Sequence, residues 1–192
     1  MLANSMNPSI PMPSPFPPRP KGFSLVEVAL ALAVMGLIGA MTFPLLSHLL
    51  TQQKINRAEI ILESARSEVL GYAMRTKNLP AEINSIGHQQ DAWRTNLEYW
   101  QSSDVRGQNL CEYFSDPLRE AALKLERAGT TVENVAFILV SSGPNRLLQT
   151  KLEDDQVVIP DPGTEVKGKR YDDLHVFMTM DYLRTRIDCP KD

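Results

Sequence analysis

The chain has 192 residues, with 20 Lys and Arg against 23 Asp and Glu and a formal net charge of −3. That length holds one soluble domain plus an anchor, and the balance lacks the clustered basic surface of a nucleic-acid-binding face, so no nucleic-acid partner is expected. The two cysteines, Cys111 and Cys189, stand in no C-x-x-C or Cys/His ligand spacing, which argues against a zinc site.

Residues 1–20 hold half of the 14 prolines, among them Pro15, Pro17, Pro18 and Pro20. Such a stretch makes neither helix nor sheet and is expected to be extended, as a passive leader or as a polyproline II ligand. Met1, Met6 and Met12 each fit a start.

From Val28 to Leu46 no residue is charged, and this run meets the length needed to span hydrocarbon. Arg19 and Lys21 precede it, which by the positive-inside rule leaves the N-terminus cytoplasmic and the C-terminal domain exported. One carboxylate, Glu27, sits in the first turn. An acid at mid-bilayer costs roughly 2.5–3.5 kcal/mol and marks a functional site. Two simpler segments compete. A cleaved signal peptide would need a small-x-small site, which Ile38-Gly39-Ala40 matches poorly, and a plain signal anchor has no use for Glu27. Gly36, Gly39 and Pro44 interrupt the helix, Pro44 by removing a backbone hydrogen bond.

Residues 51–76 change character. Ile55, Ala58, Leu62, Ala65, Val69 and Tyr72 recur at steps of three and four, with Lys54, Arg57, Glu59, Glu63, Arg66 and Glu68 around them. This predicts an amphipathic helix packed on a sheet, with a coiled coil as the alternative. Asn78-Leu79-Pro80 ends it, because the residue before proline is pushed out of helical geometry.

Strands are expected at 97–100, 135–140, 156–159 and 174–180. Residues 116–128 predict a short helix, opened by Asp116 as N-cap with Pro117 in the first turn and stopped by Gly129. Residues 141–173 are rich in loops, and 181–187 form a last helix or strand. His48, His88 and His175 read as structural or solvated. No nucleophile motif such as G-x-S-x-G occurs, so no enzyme is expected.

The junction Lys21-Gly22-Phe23-Ser24-Leu25-Val26-Glu27, running into the apolar stretch, resembles the cleavage and assembly signal of type IV pilins and type II secretion pseudopilins. The resemblance implies an α+β pilin-like fold, with the outer half of a long N-terminal helix packed on a small antiparallel sheet. The domains would then be a cleaved leader, 1–22, a transmembrane and assembly half-helix, 23–50, and an exported globular domain, 51–192. A prepilin peptidase would cut after Gly22, and Phe23 would become the methylated N-terminus. Partners would be that peptidase, other pilins or pseudopilins, the inner-membrane assembly platform and membrane lipid. The product would be a single-pass inner-membrane protein with its C-terminal domain in the periplasm, later a structural subunit, minor pilin or pseudopilin, of a filament or pilus. The rival from another class is a membrane-anchored periplasmic binding module or enzyme.

Cutting after Gly22 places a cationic α-amine on Phe23, four residues from Glu27 and on the same helical face, near the positive end of the helix dipole. The resemblance implies that Glu27 pairs instead with the amine of a neighbouring subunit. It also implies that the stretch between Gly36 and Pro44 can melt during assembly. Further along, Asp91-Ala92-Trp93 with Tyr99 resembles an Asp-Pro-Trp-Gly…Tyr segment of the family, with Ala92 and Arg94 replacing its Pro and Gly. Ser142-Gly143-Pro144-Asn145 resembles its Ser-x-Gly-Pro-Asp/Asn turn, and Asp172-Asp173-Leu174 its entry to a strand, while 101–134 reads as an insertion. In some pseudopilins the acidic loop binds calcium, for which Asp172 and Asp173, with Asp154, Asp155 and Asp161, supply oxygen donors. No other cofactor is expected. If the domain is exported, Cys111 and Cys189 should be bonded to each other; in a reducing cytosol they would be buried thiols.

Overall fold

A computed structural model describes residues 22–161 and 163–190, with the side chains of Met41, Pro44 and Leu45 excepted. The leader before Gly22 lies outside the described residues. The chain divides into two compact units, Met1–Leu45 and Leu46–Asp192.

Helix α1, Leu25–Thr76, contributes to both. In the first unit its described side chains are exposed, including Leu25, Val26, Leu30, Leu32, Met35 and Leu37. In the second unit the amphipathic pattern holds. Ala58, Leu62, Ala65, Val69 and Ala73 are buried in one stripe, and Ile55 and Tyr72 lie at its margins. Each fully buried Leu or Val contributes about 1.5–3 kcal/mol relative to exposure. The helix stops where Lys77 turns left-handed, φ 59°, with its N–H still bonded to the Ala73 carbonyl at 2.9 Å.

After α1 come β1 (Glu98–Gln101), helix α2 (Leu110–Phe114), β2 (Lys124–Arg127), β3 (Thr130–Val132) and β4 (Val135–Ser141). Then follow β5 (Lys151–Glu153), β6 (Gln156–Ile159), β7 (Glu165–Val166), β8 (Lys169–Arg170), β9 (Leu174–Thr179) and helix α3 (Met180–Arg186). The fold is α+β. One antiparallel sheet has the order β1-β4-β9, with Trp100 opposite Ile138 and Ile138 opposite Phe177. A second sheet, β3-β2-β6-β5, is mixed, because β2 and β6 run parallel. The single small antiparallel sheet expected from the sequence is therefore joined by two others, the mixed sheet and a two-stranded antiparallel β7–β8 ladder.

Strand β4 explains its own composition. Phe137 and Leu139 enter the core that α1 covers with Leu62 and Val69, whereas Ile138 and Val140 enter a second core with Leu123, Leu125, Val157 and Ile159. Being buried on both faces, it reads as an unbroken apolar run.

The helix expected over 116–128 does not form. Asp116 Oδ1 accepts from the Leu118 amide at 2.9 Å, which makes one turn, and Lys124–Arg127 is strand. The alternation around Lys124 decides it. Leu123 and Leu125 are buried while Lys124 is exposed, and strand pairing on both edges satisfies the backbone. Ala128 and Gly129, φ 51° and 73°, close a two-residue turn between β2 and β3. Asp154-Asp155 and Lys167-Gly168 do the same for β5–β6 and β7–β8, all with the paired positive φ that matches strand twist.

Candidate functional site

Gly22 is exposed, and a Cβ built there meets nothing within 4 Å. Phe23 is 82% exposed. Ser24 then opens α1. Its Oγ accepts the Glu27 amide at 3.2 Å, and its carbonyl accepts the Val28 amide at 3.2 Å. Ser-x-x-Glu is the sequence form of a capping box, a signal that the resemblance to a processing motif overshadowed. Glu27 thus occupies the third helical position, where the dipole favours a carboxylate.

Farther along, Gly36 and Gly39 lie within α1 with open space around them. Thr42 Oγ1 donates to the Ile38 carbonyl at 3.0 Å. The helix runs without a break through these positions, so the interruption expected from glycine and proline is absent from its backbone. Pro44's side chain lies outside the described residues. Among the described residues no helix is long and apolar enough to cross a membrane.

In the second unit the three domain motifs become three hydrogen-bonded hubs. Asp91, 5% exposed, accepts from the Trp93 and Thr95 amides at 2.9 Å and from Ser141 Oγ at 2.7 Å, fastening its loop to β4. Arg94 takes φ 63°, a left-handed conformation that favours glycine. Ser142–Asn145 and Asp172–Asp173 come together. Asp172 Oδ2 accepts the Asn145 amide at 3.0 Å, and Asp173 Oδ2 accepts the Gln149 and Thr150 amides at 2.7 and 2.6 Å and Thr150 Oγ1 at 2.9 Å. Burial pushes both carboxyls up, against the lowering effect of these hydrogen bonds.

Gln149, which carries no motif in the sequence, is the keystone. Its Nε2 donates to the Val166 and Lys169 carbonyls, each at 3.1 Å, and its Oε1 accepts from Asn145 Nδ2 and the Asp172 amide. Only its full burial reveals this role, and burial of a loop glutamine has no sequence period.

The calcium expectation can be tested on this geometry. One oxygen of each aspartate is held by N–H or O–H donors, and the loop carbonyls of Val166 and Lys169 already meet Gln149. Among the described residues no group of three or more His, Cys, Asp or Glu could hold a metal. Asp172 and Asp173 do not fit a calcium set, which needs six to eight oxygens. Asp154 and Asp155 instead form the β5–β6 turn.

His88 Nδ1 lies 2.7 Å from Glu68 Oε1, and the Gly87 and His88 amides donate to Glu68 Oε2 at 2.8 and 3.0 Å. Burial opposes ionisation of Glu68, but these hydrogen bonds outweigh it and hold the carboxyl below its ordinary value. On β9, burial and then the Arg127 charge push His175 down to about 4.

Cys111, in α2, and Cys189 form a disulfide across a separation of 78 residues, with Cα atoms 5.4 Å apart. Asn109 caps α2 through the Cys111 amide at 2.8 Å. The bridge pins the chain beyond α3 to the insertion.

No curated protein and no solved structure matches the chain. The model of one family, the prokaryotic N-terminal methylation motif, matches residues 18–43, which take in Gly22, Phe23, Ser24, Glu27, Gly36 and Gly39. With that motif leading into a long helix and small sheets in an α+β fold, the chain carries the prepilin-type signal that is the signature of type IV pilins and pseudopilins.

Proposed function

We propose that this protein is a structural subunit, a minor pilin or pseudopilin, of a type IV pilus or type II secretion filament. The observation that carries the reading is the accessible Gly22-Phe23 junction immediately before a capped helix whose third position is Glu27, all within the methylation motif. A prepilin peptidase cuts after Gly22, and Phe23 is methylated. Arg19 and Lys21 stay on the cytoplasmic side, residues 23–50 anchor the chain in the inner membrane, and the domain from residue 51 lies in the periplasm.

In the filament, Glu27 neutralises the Phe23 amine of a neighbouring subunit, so docking removes two unpaired charges from the membrane together. Burying either alone is costly, and pairing offsets that cost. Gly36 and Pro44 provide the stretch that loosens on assembly. The role is structural rather than catalytic. The other partners are fellow pilins, the inner-membrane assembly platform and lipid.

Mass spectrometry of the mature protein from cells with the peptidase tests this. An N-methylated Phe23 is expected. An intact leader, or a cut near Ala40, would overturn it in favour of a merely anchored periplasmic protein.

A further inference from the structure

Strand β9 is an edge. The order β1-β4-β9 pairs it with β4 alone, and outside that ladder no backbone group of residues 174–178 makes a hydrogen bond among the described residues. An edge strand points a row of unpaired amides and carbonyls outward, a ready template for another chain, and natural edges are guarded by lysine, proline or a bulge. Leu174-His175-Val176-Phe177-Met178-Thr179 has neither lysine nor proline. The register shift of the pair lies on β4, between Val135 and Phe137.

This edge is the floor of a groove. Two clefts, of about 600 and 530 Å³ or less in volume for the larger and about 450 Å³ for the smaller, share Glu63, Arg127, His175 and Val176. The larger is lined by every residue from Tyr171 to Val176, the smaller by every residue from His175 to Thr179. Successive side chains of a strand point to opposite faces, so a cleft lined by consecutive residues runs along the backbone edge and not over one face. The packing agrees, since Leu174, Val176 and Met178 join the core under α1 and Phe177 joins the other. The walls are therefore α1, with Glu59, Glu63 and Arg66, and the second sheet, with Arg127 and Ile159. From Tyr171 to Thr179 an extended chain covers roughly 25 Å.

The walls carry a charge pattern. Glu63 is paired with Arg66 at 2.8 Å. Glu59 and Arg127 are exposed and form no ion pair among the described residues. Glu59 lines only the Tyr171 end of the groove, where Asp172 and Asp173 add to the acidic character, whereas Arg127 borders both clefts and so stands near the middle.

We propose that this groove binds an extended segment of another polypeptide, which joins β9 as an antiparallel fourth strand and presents one acidic and one basic side chain on opposite faces. The basic side chain reaches Glu59 on the helix wall, and the acidic one reaches Arg127 on the sheet wall. Because they lie on opposite faces, an odd number of positions separates them. An antiparallel strand enters at Thr179 and leaves at Tyr171, so the acid comes first. Backbone bonds to β9 supply affinity, and the walls supply selectivity. The site lies wholly within the second unit and goes beyond the filament reading without resting on it.

The probe is a blocked peptide of about eight residues, alternating Thr and Val, with one Glu and, an odd number of positions later, one Lys. A fluorescent copy is titrated with the full chain in detergent micelles and followed by anisotropy. Saturable binding is expected, with amide exchange slowed at residues 174–178. Methylating the peptide nitrogens that face β9 should lower affinity at least about tenfold, because several ladder bonds are lost. Exchanging its Glu and Lys should lower affinity about tenfold, because two attractions become two repulsions. Glu59→Lys with Arg127→Glu should reverse that preference. The first two comparisons alter only the peptide, so they stand whatever the stability of the variant.

Equal affinity for the methylated peptide would overturn the inference, as would indifference to the exchanged charges or no binding by any of the peptides. Slowed exchange at residues 174–178 that grows with protein concentration alone would make a second copy the occupant and equally overturn it. Each of these leaves processing at Gly22, and with it the filament reading, in place. An uncut leader in cells with the peptidase would sink that reading and leave the groove standing.

Discussion

Gly143 lies so close to Asp172 that a Cβ on the glycine would sit 2.2 Å from the Asp172 carbonyl oxygen. Its φ of 63° is also left-handed, so two independent constraints admit only glycine at the point where the 142–145 turn meets the 171–173 segment. Gly143→Ala should therefore destabilise the protein by at least about 3 kcal/mol, through backbone displacement added to the conformational penalty. Gly129→Ala, at φ 73° but with open space, should cost only about 1 kcal/mol. Denaturant titrations of the purified protein in detergent compare the two; equal costs would refute the close approach as the cause.

Gly22→Val should block maturation. Gly22 is exposed and unconstrained by the fold, so the variant leaves α1 unaffected and changes only what a peptidase pocket must admit. Gel mobility and N-terminal sequencing in cells containing the peptidase read the outcome, and normal processing would count against the pilin-type signal.

Glu27→Leu should insert into the membrane at least as well as the wild type, since a costly charge is removed. The helix start survives as well, because Ser24 Oγ accepts the backbone N–H of residue 27 rather than its side chain. Incorporation into filaments should nonetheless fall, with the Phe23 amine left unpaired. Pull-down with neighbouring subunits and counts of surface filaments would expose the pairing role as mistaken if both stayed at wild-type levels.

His175 predicts an acid-sensitive component of stability. Its folded value is depressed to about 4 from an ordinary 6.5, so between these values the unfolded chain binds more protons. Its contribution is present above pH 6.5 and is lost as pH falls to about 4. Asp172 and Asp173 act oppositely. Their raised values mean that the folded state binds protons more readily, so their contribution grows on acidification below those values. Melting curves across pH 4–7 should show a decline that His175→Phe reduces; an unchanged slope in the variant would exclude the histidine as its source.

Cys111→Ser with Cys189→Ser should cost about 4.5 kcal/mol by the chain-entropy estimate for a loop of this length. The loss should appear as a lower denaturation midpoint, with increased proteolysis of the chain beyond α3. Wild-type resistance of the double variant would show that α3 holds the terminus without the bridge.

The long helix was legible because its periodicity extends over many turns, and β4 because it is apolar on both faces. Residues 116–128 misled for a physical reason. Asp116 and Pro117 are sound helix openers and do start a turn, but Leu123 and Leu125 answer to partners in β3 and β6 that no local pattern announces. The short strands β3, β5, β7 and β8 escaped because two or three residues carry no period. At the candidate site, Gly22, Phe23 and Glu27 stood out because an acid in an apolar run is conspicuous. Gln149 and the Ser141–Asp91 bond arise only from tertiary burial.

Strand β4 is a wall common to two rooms. Phe137 and Leu139 face one core, Ile138 and Val140 the other, so neither side can be repacked, loosened or excised without moving the other. Sequence change is consequently channelled to the periphery, into the two-residue turns between β2 and β3, β5 and β6, and β7 and β8, where chemistry can drift while the shared partition stays fixed. A fold built this way can acquire new surfaces without renegotiating its interior.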